Sequence, residues 1–143
     1  KPIEILTTDN HADGVLLLRR IASRDPARAS EVLELLSMHG GCSAGTKFAN
    51  VDARGDVHAC QFWGGESLGN VRERPFSEIW TDLTHPLLAE LRRSQELLTG
   101  RCAICRYQPY CGGCRIRAEA VHGDRWAPDP ACYLTDEEVL SGE

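Results

Sequence analysis

The stretch that decides the fold covers residues 101–114 and reads Arg-Cys-Ala-Ile-Cys-Arg-Tyr-Gln-Pro-Tyr-Cys-Gly-Gly-Cys. Its four thiols follow the spacing Cys-x2-Cys-x5-Cys-x2-Cys and belong to Cys102, Cys105, Cys111 and Cys114. Thiolates are soft ligands, and four of them select zinc or an iron–sulfur cluster. The two glycines before Cys114 permit close backbone approach and direct N–H groups at sulfur. They favour a cluster, although the spacing alone leaves zinc and disulfides open.

Three further cysteines complete a set of seven. Cys42 and Cys60 flank a turn that contains Gly55, and Cys132 follows the central stretch alone. Seven thiols exceed the needs of one tetrahedral ion and suit two metal centres. Residues 1–4 lack the apolar core of a signal peptide, so we expect a cytoplasmic, reducing compartment, where clustered cysteines bind metal.

Composition limits the other classes of protein. The chain has 143 residues, of which 42% are apolar and 26% charged, as in one globular domain of ordinary size. A net charge of −5 argues against a nucleic-acid surface, and no apolar run approaches the length of a membrane span.

The first forty residues predict a strand followed by two helices. The apolar run at residues 3–6 is typical of a buried strand that opens into a polar loop. Gly14 precedes a predicted helix at residues 15–22. Asp25 is expected to cap a second helix, with proline at its first position, which ends at Gly40.

A hairpin and several helices are predicted for the rest of the chain. Residues 47–51 and 57–62 indicate two strands around a turn at residues 52–55, with Cys60 on the returning strand. Thr135 and Glu138 resemble a capping box that opens a terminal helical turn. Further helices are expected at residues 75–80, at residues 86–98 with Gly100 closing them, and at residues 115–121 with Gly123 ending them.

The order Cys42-x12-Gly55-x4-Cys60, then the central stretch, then Cys132 resembles the SPASM domain, the C-terminal auxiliary-cluster domain of radical S-adenosylmethionine (SAM) enzymes. The resemblance involves all seven cysteines over about 90 residues. The stretches at residues 5–14, 56–63, 67–73 and 129–138 are similar to radical SAM enzymes of the alternative haem and haem d1 pathways. Within that group the chain looks most like the haem synthases.

This resemblance implies an α+β fold in two parts. Residues 1–40 would be the end of a partial radical SAM barrel, and residues 41–143 an auxiliary-cluster domain with a β-hairpin and short helices around two [4Fe–4S] clusters. Radical SAM enzymes bind their catalytic cluster through Cys-x3-Cys-x2-Cys, a spacing that does not occur in this chain. We therefore expect a fragment that is inactive alone, with SAM and a third cluster only in the full-length enzyme.

The resemblance also implies how the thiols divide between the clusters. Cys102, Cys105, Cys111 and Cys132, here called the four-thiol set, would hold auxiliary cluster II. The three-thiol set would hold auxiliary cluster I and consists of Cys42, Cys60 and Cys114. Some members supply a further cysteine between the equivalents of Cys42 and Cys60, and this chain has none there. One iron of auxiliary cluster I is therefore expected to be open, or bound by His58 or by substrate.

Five side chains are candidates for binding substrate: His11, His58, Lys47, Arg115 and Arg117. His11 follows the predicted barrel strand, and the three cations suit the carboxylates of a tetrapyrrole. A different role is open for each. His11 would bond its neighbouring aspartates, His58 would face solvent on the hairpin, and the cations would lie on the surface or balance cluster charge.

The function that the resemblance implies is oxidative decarboxylation of iron-coproporphyrin III. A 5′-deoxyadenosyl radical would take hydrogen from a propionate, and loss of CO2 would leave a vinyl group and release one electron to an auxiliary cluster. The expected partners are an iron-porphyrin, the N-terminal barrel and an electron-transfer protein. Two alternatives stay open, namely the same domain in a radical SAM peptide maturase and a zinc-binding interaction module.

Overall fold

The computed structural model describes residues 10–140, so the strand predicted at residues 3–6 lies outside the described residues. The chain divides into two units. The helical unit comprises residues 10–42 and 98–140 of the described part, and the sheet unit comprises residues 43–97. The predicted boundary between residues 40 and 41 remains a prediction.

Two helices begin the helical unit, as predicted. Helix α1 covers Ala12–Ala22, and α2 covers Pro26–His39. The Asp25 carboxylate accepts a hydrogen bond from the Arg28 N–H (3.0 Å), which confirms the predicted cap. Gly14 lies inside α1 rather than before it, since the helix already begins at Ala12. A Cβ at Gly14 would be 2.9 Å from the Leu36 side chain of α2. The missing side chain lets the two helices pack closely.

The sheet unit contains the predicted hairpin and a third strand that was not predicted. Strand β1 is Asn50–Val51, β2 is Asp56–His58 and β3 is Gly69–Asn70, all antiparallel in the order β1-β2-β3. Val57 pairs with Val51 on one side and with Gly69 on the other. Both hairpin strands are shorter than predicted, and Cys60 lies beyond β2 rather than on it.

Three helices follow in the sheet unit. Helix α3 is Phe76–Thr81, close to the prediction, while the single helix expected at residues 86–98 is two, α4 (Pro86–Arg92) and α5 (Ser94–Leu97). The helix breaks at Arg93, whose φ and ψ are −120° and 26°. The buried apolar side chains of this unit come from the sheet, its loops and α3–α4: Ala44, Val57, Ala59, Trp63, Leu68, Ile79, Leu87, Leu88 and Leu91.

The chain then returns to the helical unit through short helices. Helix α6 (Gly100–Ala103) begins at Gly100, so this glycine opens a helix rather than closing one. A 3-10 turn at Gln108–Tyr110 precedes α7 (Arg115–His122), which ends at Gly123 in the left-handed conformation, as predicted. Helix α8 (Asp136–Leu140) begins with the predicted capping box.

The core of the helical unit joins α1 and α2 to the cysteine-bearing segments. Its buried side chains come from both parts of this unit, and Cys105, Cys111 and Cys132 pack against it. The fold is thus a mixture of helices and a small antiparallel sheet, which confirms the α+β class. Between residues 10 and 140, no helix has the length and apolar character to cross a membrane.

Candidate metal centre

The four-thiol set lines one cavity of the helical unit. Helix α6 supplies Cys102, the loop after it supplies Cys105, the end of the 3-10 turn supplies Cys111, and the segment before α8 supplies Cys132. Apolar side chains complete much of the wall: Val15, Pro128, Leu134 and Val139. The four thiols surround a shared space, and among residues 10–140 no three Cys, His, Asp or Glu side chains meet at a single ion position.

Backbone hydrogen bonds hold these cysteines in tight turns. The Gln108 N–H donates to the Cys105 carbonyl (2.9 Å), and the Cys111 N–H donates to the Tyr107 carbonyl (3.0 Å). The Cys132 N–H donates to the carbonyl of Asp129 (3.1 Å). Three of the four thiols, those of Cys105, Cys111 and Cys132, are therefore presented from turns whose shape is fixed locally. The turn at Cys132 comes from a later part of the chain than the two neighbouring turns at Cys105 and Cys111, and it reaches the same cavity.

The two glycines between Cys111 and Cys114 are required by their backbone conformation. Gly112 and Gly113 have φ of +60° and +64°, in the left-handed region. A Cβ on Gly113 would be 2.6 Å from the Asp129 Cβ and 2.7 Å from Nη2 of Arg115. The Gly113 N–H is hydrogen-bonded to the Cys111 thiol, as the Cys-Gly-Gly-Cys pattern predicts.

Two thiols of this set, those of Cys105 and Cys111, resist ionisation without a positive partner. Burial, and to a smaller extent the neighbouring Cys132, Cys102 and Cys105, raise the pKa of Cys111 to about 11, against the lowering effect of the Gly113 N–H. Burial also raises the pKa of Cys105. A metal centre that binds thiolates must therefore displace protons from these sulfurs, and its positive charge provides the compensation.

Asp129 connects the segments that carry Cys114 and Cys132. Its buried carboxylate accepts hydrogen bonds from the Cys114 N–H (2.7 Å) and the Ala131 N–H (3.0 Å), and a bidentate pair from Arg117 (3.0 and 2.8 Å). Burial would raise the pKa of Asp129, but the hydrogen bonds from Arg117 and the two backbone N–H groups outweigh it and lower the pKa. The ionised carboxylate fixes both cysteine-bearing segments.

The three-thiol set is distributed over both units. Cys42 follows the glycines that end α2, and Cys114 is the N-terminal cap of α7, both in the helical unit. Cys60 belongs to the sheet unit, in a turn closed by a hydrogen bond from the Trp63 N–H to its carbonyl (3.0 Å). None of the seven cysteines, all of which are among the described residues, forms a disulfide.

His58 is buried, with 5% of its surface exposed, so the expectation that it faces solvent is wrong. Its Nδ1 lies 3.0 Å from the Glu66 carbonyl, an acceptor, so Nδ1 carries a proton that it donates. Its Nε2 lies 3.7 Å from the carboxylate of Asp52 in the hairpin turn. Both ring nitrogens therefore have polar neighbours within the sheet unit, and these neighbours hold the ring in place.

Arg115 and Arg117 have internal partners. Arg115 is 1% exposed, so the alternative of a surface position is wrong for it. Its Nη1 donates to the carbonyls of Arg125 (2.8 Å) and Ala127 (3.0 Å), which holds the loop after α7. Arg117 is occupied by Asp129. Two carbonyls and a carboxylate thus take up donors of both arginines, while Nε and Nη2 of Arg115 are buried without a hydrogen-bond partner among the described residues.

The remaining two candidates, His11 and Lys47, belong to different units. His11 is the half-buried N-terminal cap of α1, and its neighbour Asp13 accepts a hydrogen bond from the Tyr133 hydroxyl (2.6 Å). Lys47 is exposed in the sheet unit, before β1. Neither residue lines the cavity of the four-thiol set.

Sequence analysis missed two charged residues of this cavity, Arg101 and Asp129. Arg101 directly precedes the predicted ligand Cys102. Asp129 is followed by a proline and lies three positions before the predicted ligand Cys132. The Asp-Pro step close to a ligand is a turn signal, and it is the feature of the sequence that points to Asp129. Arg101 gives no comparable signal, because its position on the wall depends on contacts with the segment around Leu134.

The SPASM family of iron–sulfur cluster-binding domains matches residues 42–115. The match includes every predicted ligand except Cys132, and it spans more than half of the chain. The chain therefore belongs to the SPASM family and is an iron–sulfur cluster-binding domain.

Several relatives share more of the sequence than the family match covers. The chain is 53% identical to the Fe-coproporphyrin III synthase of Methanosarcina barkeri over 96% of the chain and 36% of that protein. It is 45% identical to the pre-heme d1 synthase of Dinoroseobacter shibae over 96% of the chain and 34% of that protein. An AdoMet-dependent heme synthase of Nitratidesulfovibrio vulgaris is 41% identical over 67% of the chain and 25% of that protein. The chain spans about a third of the length of the first two, and no solved structure matches it.

Proposed function

We propose that the four-thiol set holds a [4Fe–4S] cluster. The observation that carries this proposal is the convergence of Cys102, Cys105, Cys111 and Cys132 on one cavity, although Cys132 is far from the others in sequence. Four thiolates around a cubic cluster bind four different irons, so they surround a space instead of meeting at a point. When bound, the cluster supplies a one-electron acceptor or donor.

The chemistry of the donor set fits such a cluster better than a zinc ion in an interaction module. Apolar side chains wall the cavity, and a buried cluster depends on such a shell and on N–H donors to sulfur for its potential. The Gly113 N–H is one such donor. The raised pKa values of Cys105 and Cys111 mean that loading releases protons.

We propose a second [4Fe–4S] cluster on the three-thiol set, on the basis of the family resemblance and the order of the cysteines. Three thiolates leave one iron without a cysteine ligand. His58 would have to give up a contact within the sheet unit to reach an iron, because its Nδ1–H bonds a carbonyl and its Nε2 neighbours a carboxylate. We therefore favour water or a substrate group at that iron.

We further propose that the chain forms the auxiliary-cluster portion of a radical SAM enzyme of haem biosynthesis. Its similarity to three synthases of haem-related compounds over 67–96% of its length supports this. SAM, a third cluster, the barrel and an electron-transfer partner would belong to the full-length enzyme, with α1 and α2 at the end of the barrel. We also propose a cytoplasmic location, because clustered cysteines that bind metal are usual in a reducing compartment.

We propose that the substrate is an iron-porphyrin and that its carboxylates are the groups on which the reaction acts. The family resemblance implies that iron-coproporphyrin III is consumed, whereas the relative with 53% identity is named for making it. The same auxiliary domain serves either reaction, because both concern an iron-porphyrin rather than a peptide. Whether iron-coproporphyrin III is the substrate or the product is a property of the full-length enzyme.

Ligand binding to the reconstituted chain tests this choice. Iron-coproporphyrin III is added to the anaerobically loaded chain, and the EPR signals of the clusters are followed, with an unrelated ribosomal peptide as the matched probe. The porphyrin is expected to perturb the cluster of the three-thiol set, and the peptide to leave it unchanged. A response to the peptide and none to the porphyrin would favour the peptide maturase.

A further inference from the structure

The cavity of the four-thiol set has a single cation on its wall among the described residues that line it. This cation is Arg101, which directly precedes the first thiol of the set. The other charged side chain of the wall, Asp129, is paired with Arg117. Arg101 is therefore the wall residue whose positive charge can act on a centre bound by the four thiols.

Contacts from the far end of the chain hold Arg101 in this place. Its Nη2 donates to the Leu134 carbonyl, two residues after Cys132, and its Nε lies 2.6 Å from a carboxylate oxygen of Asp136. The Arg101 side chain is 26% exposed and that of Asp136 is 74% exposed. Solvent thus screens the carboxylate more than the guanidinium, so the pair leaves a net positive field on the cavity side.

We propose that Arg101 is a positioning residue that raises the reduction potential of the cluster held by the four-thiol set. This inference rests on the proposed function, since it requires a cluster in the cavity. Reduction adds one electron to the cluster and no proton, so the reduced state carries one more negative charge. A fixed cation nearby stabilises the reduced state more than the oxidised state.

Arg101 also links the first and last ligands of the set. The Leu134 carbonyl that it binds lies on the segment that carries Cys132, so the guanidinium ties this segment to α6. A purely structural role would show as weaker loading or lower stability, whereas an electrostatic role shows as a changed potential in a fully loaded protein.

Redox titration of the loaded chain separates these roles. Arg101→Gln removes the charge and keeps a hydrogen-bond donor, while Arg101→Lys keeps the charge. Each variant is reconstituted anaerobically, its iron and sulfide are measured, and its EPR signals are titrated with dithionite at low ionic strength. The signal of interest is the one that Cys132→Ala removes.

Arg101→Gln is expected to lower the potential of that signal, so that the ratio of reduced to oxidised cluster at a fixed poise falls on the order of tenfold. The Arg101→Lys variant is expected to have a reduction potential close to that of the parent. An unchanged potential in a fully loaded Arg101→Gln variant would overturn the proposal.

A second variant decides the matter if Arg101→Gln fails to hold its cluster. Asp136→Asn removes the exposed partner and leaves the charge of Arg101 less compensated, so the potential is expected to rise. An unchanged potential in that variant would overturn the proposal. A parent chain without iron and sulfide would instead show that the proposed function itself is wrong.

Discussion

At the scale of single residues, the ligand assignment depends on Cys132. It joins three thiols that are close to one another in sequence, and its place on the same cavity wall depends on the turn formed by Asp129 and the residues after it. A cysteine so far along the chain was assigned to this set only through the family resemblance. Spacing within the central stretch would have grouped Cys114 with its neighbours instead.

Substitution of single cysteines tests that assignment. Cys105→Ala and Cys132→Ala are expected to abolish the same EPR signal, because each removes one corner ligand of one cluster. Cys42→Ala, the matched control, is expected to leave that signal in place and to alter the other. The assignment fails if Cys132→Ala retains both signals in Mössbauer or EPR spectra.

A pair of glycine substitutions tests the loop between the last two thiols of the central stretch. Gly112→Ala has room, since its nearest neighbour is 3.8 Å away, so only its left-handed backbone should cost stability, roughly 1–2 kcal/mol. Gly113→Ala has the same strain and also collides with Asp129 and Arg115, which adds about 1–3 kcal/mol.

Thermal melts and iron content of the two glycine variants provide the measurement. We expect Gly113→Ala to lose more stability and more iron than its neighbour. Equal losses would mean that the close contacts at Gly113 do not hold the loop.

Sequence could identify residue types at this scale but not their partners. The cysteines and glycines have patterns that point to a centre, whereas His58 and Arg115 were each given both a functional role and an exposed position. Each is buried, and backbone carbonyls of the loop that follows its own element accept its hydrogen bonds. Such loop carbonyls have no signature in the sequence.

At the scale of elements, caps and breaks were predictable where they are local. Asp25 and Thr135 cap helices through contacts within three residues, so their patterns were sufficient. The break at Arg93 and the helix that begins at Gly100 were not predicted. A Cβ on Gly100 would be 2.9 Å from Pro128, so its role depends on a segment far along the chain.

The element between α7 and Cys132 gives a prediction on pH. The pKa of Asp129 is lowered in the folded state, since its hydrogen bonds outweigh burial, so its stabilisation is present above the usual carboxyl pKa and is lost as pH falls through the lowered value. At neutral pH, Asp129→Asn is expected to cost about 1–3 kcal/mol through loss of charged hydrogen bonds.

Circular-dichroism melts between pH 7 and pH 3 check this prediction for Asp129. The difference between parent and variant should shrink as the pH falls below about 4. Asp25→Asn, which keeps an exposed cap, serves as the control. The difference in stability between this variant and the parent should stay the same at every pH. For Asp129→Asn, a difference that stays constant with pH would contradict the role given to the Asp129 carboxylate.

At the scale of the whole molecule, two centres of unequal completeness are expected. The cluster of the four-thiol set has a cysteine ligand for every iron. The cluster of the three-thiol set has one iron without a cysteine ligand. The second should therefore lose iron first in air, and cyanide should perturb its EPR signal while the other signal is unchanged. If both signals resist cyanide and air alike, an open iron is absent.

The division of the chain into two units was not predictable from sequence. The family resemblance implied a boundary near residue 40, which stays a prediction, and it gave no sign that residues 10–42 form one unit with residues 98–140. The cause is the core that joins α1 and α2 to Tyr107, Leu134 and Val139, which depends on contacts over about a hundred residues of sequence.

The central claim is that this chain holds two iron–sulfur clusters, and its metal content tests that claim most directly. After anaerobic reconstitution and removal of unbound metal, we expect about eight iron and eight sulfide per chain, as two [4Fe–4S] clusters require. One stoichiometric zinc with no sulfide would contradict the account.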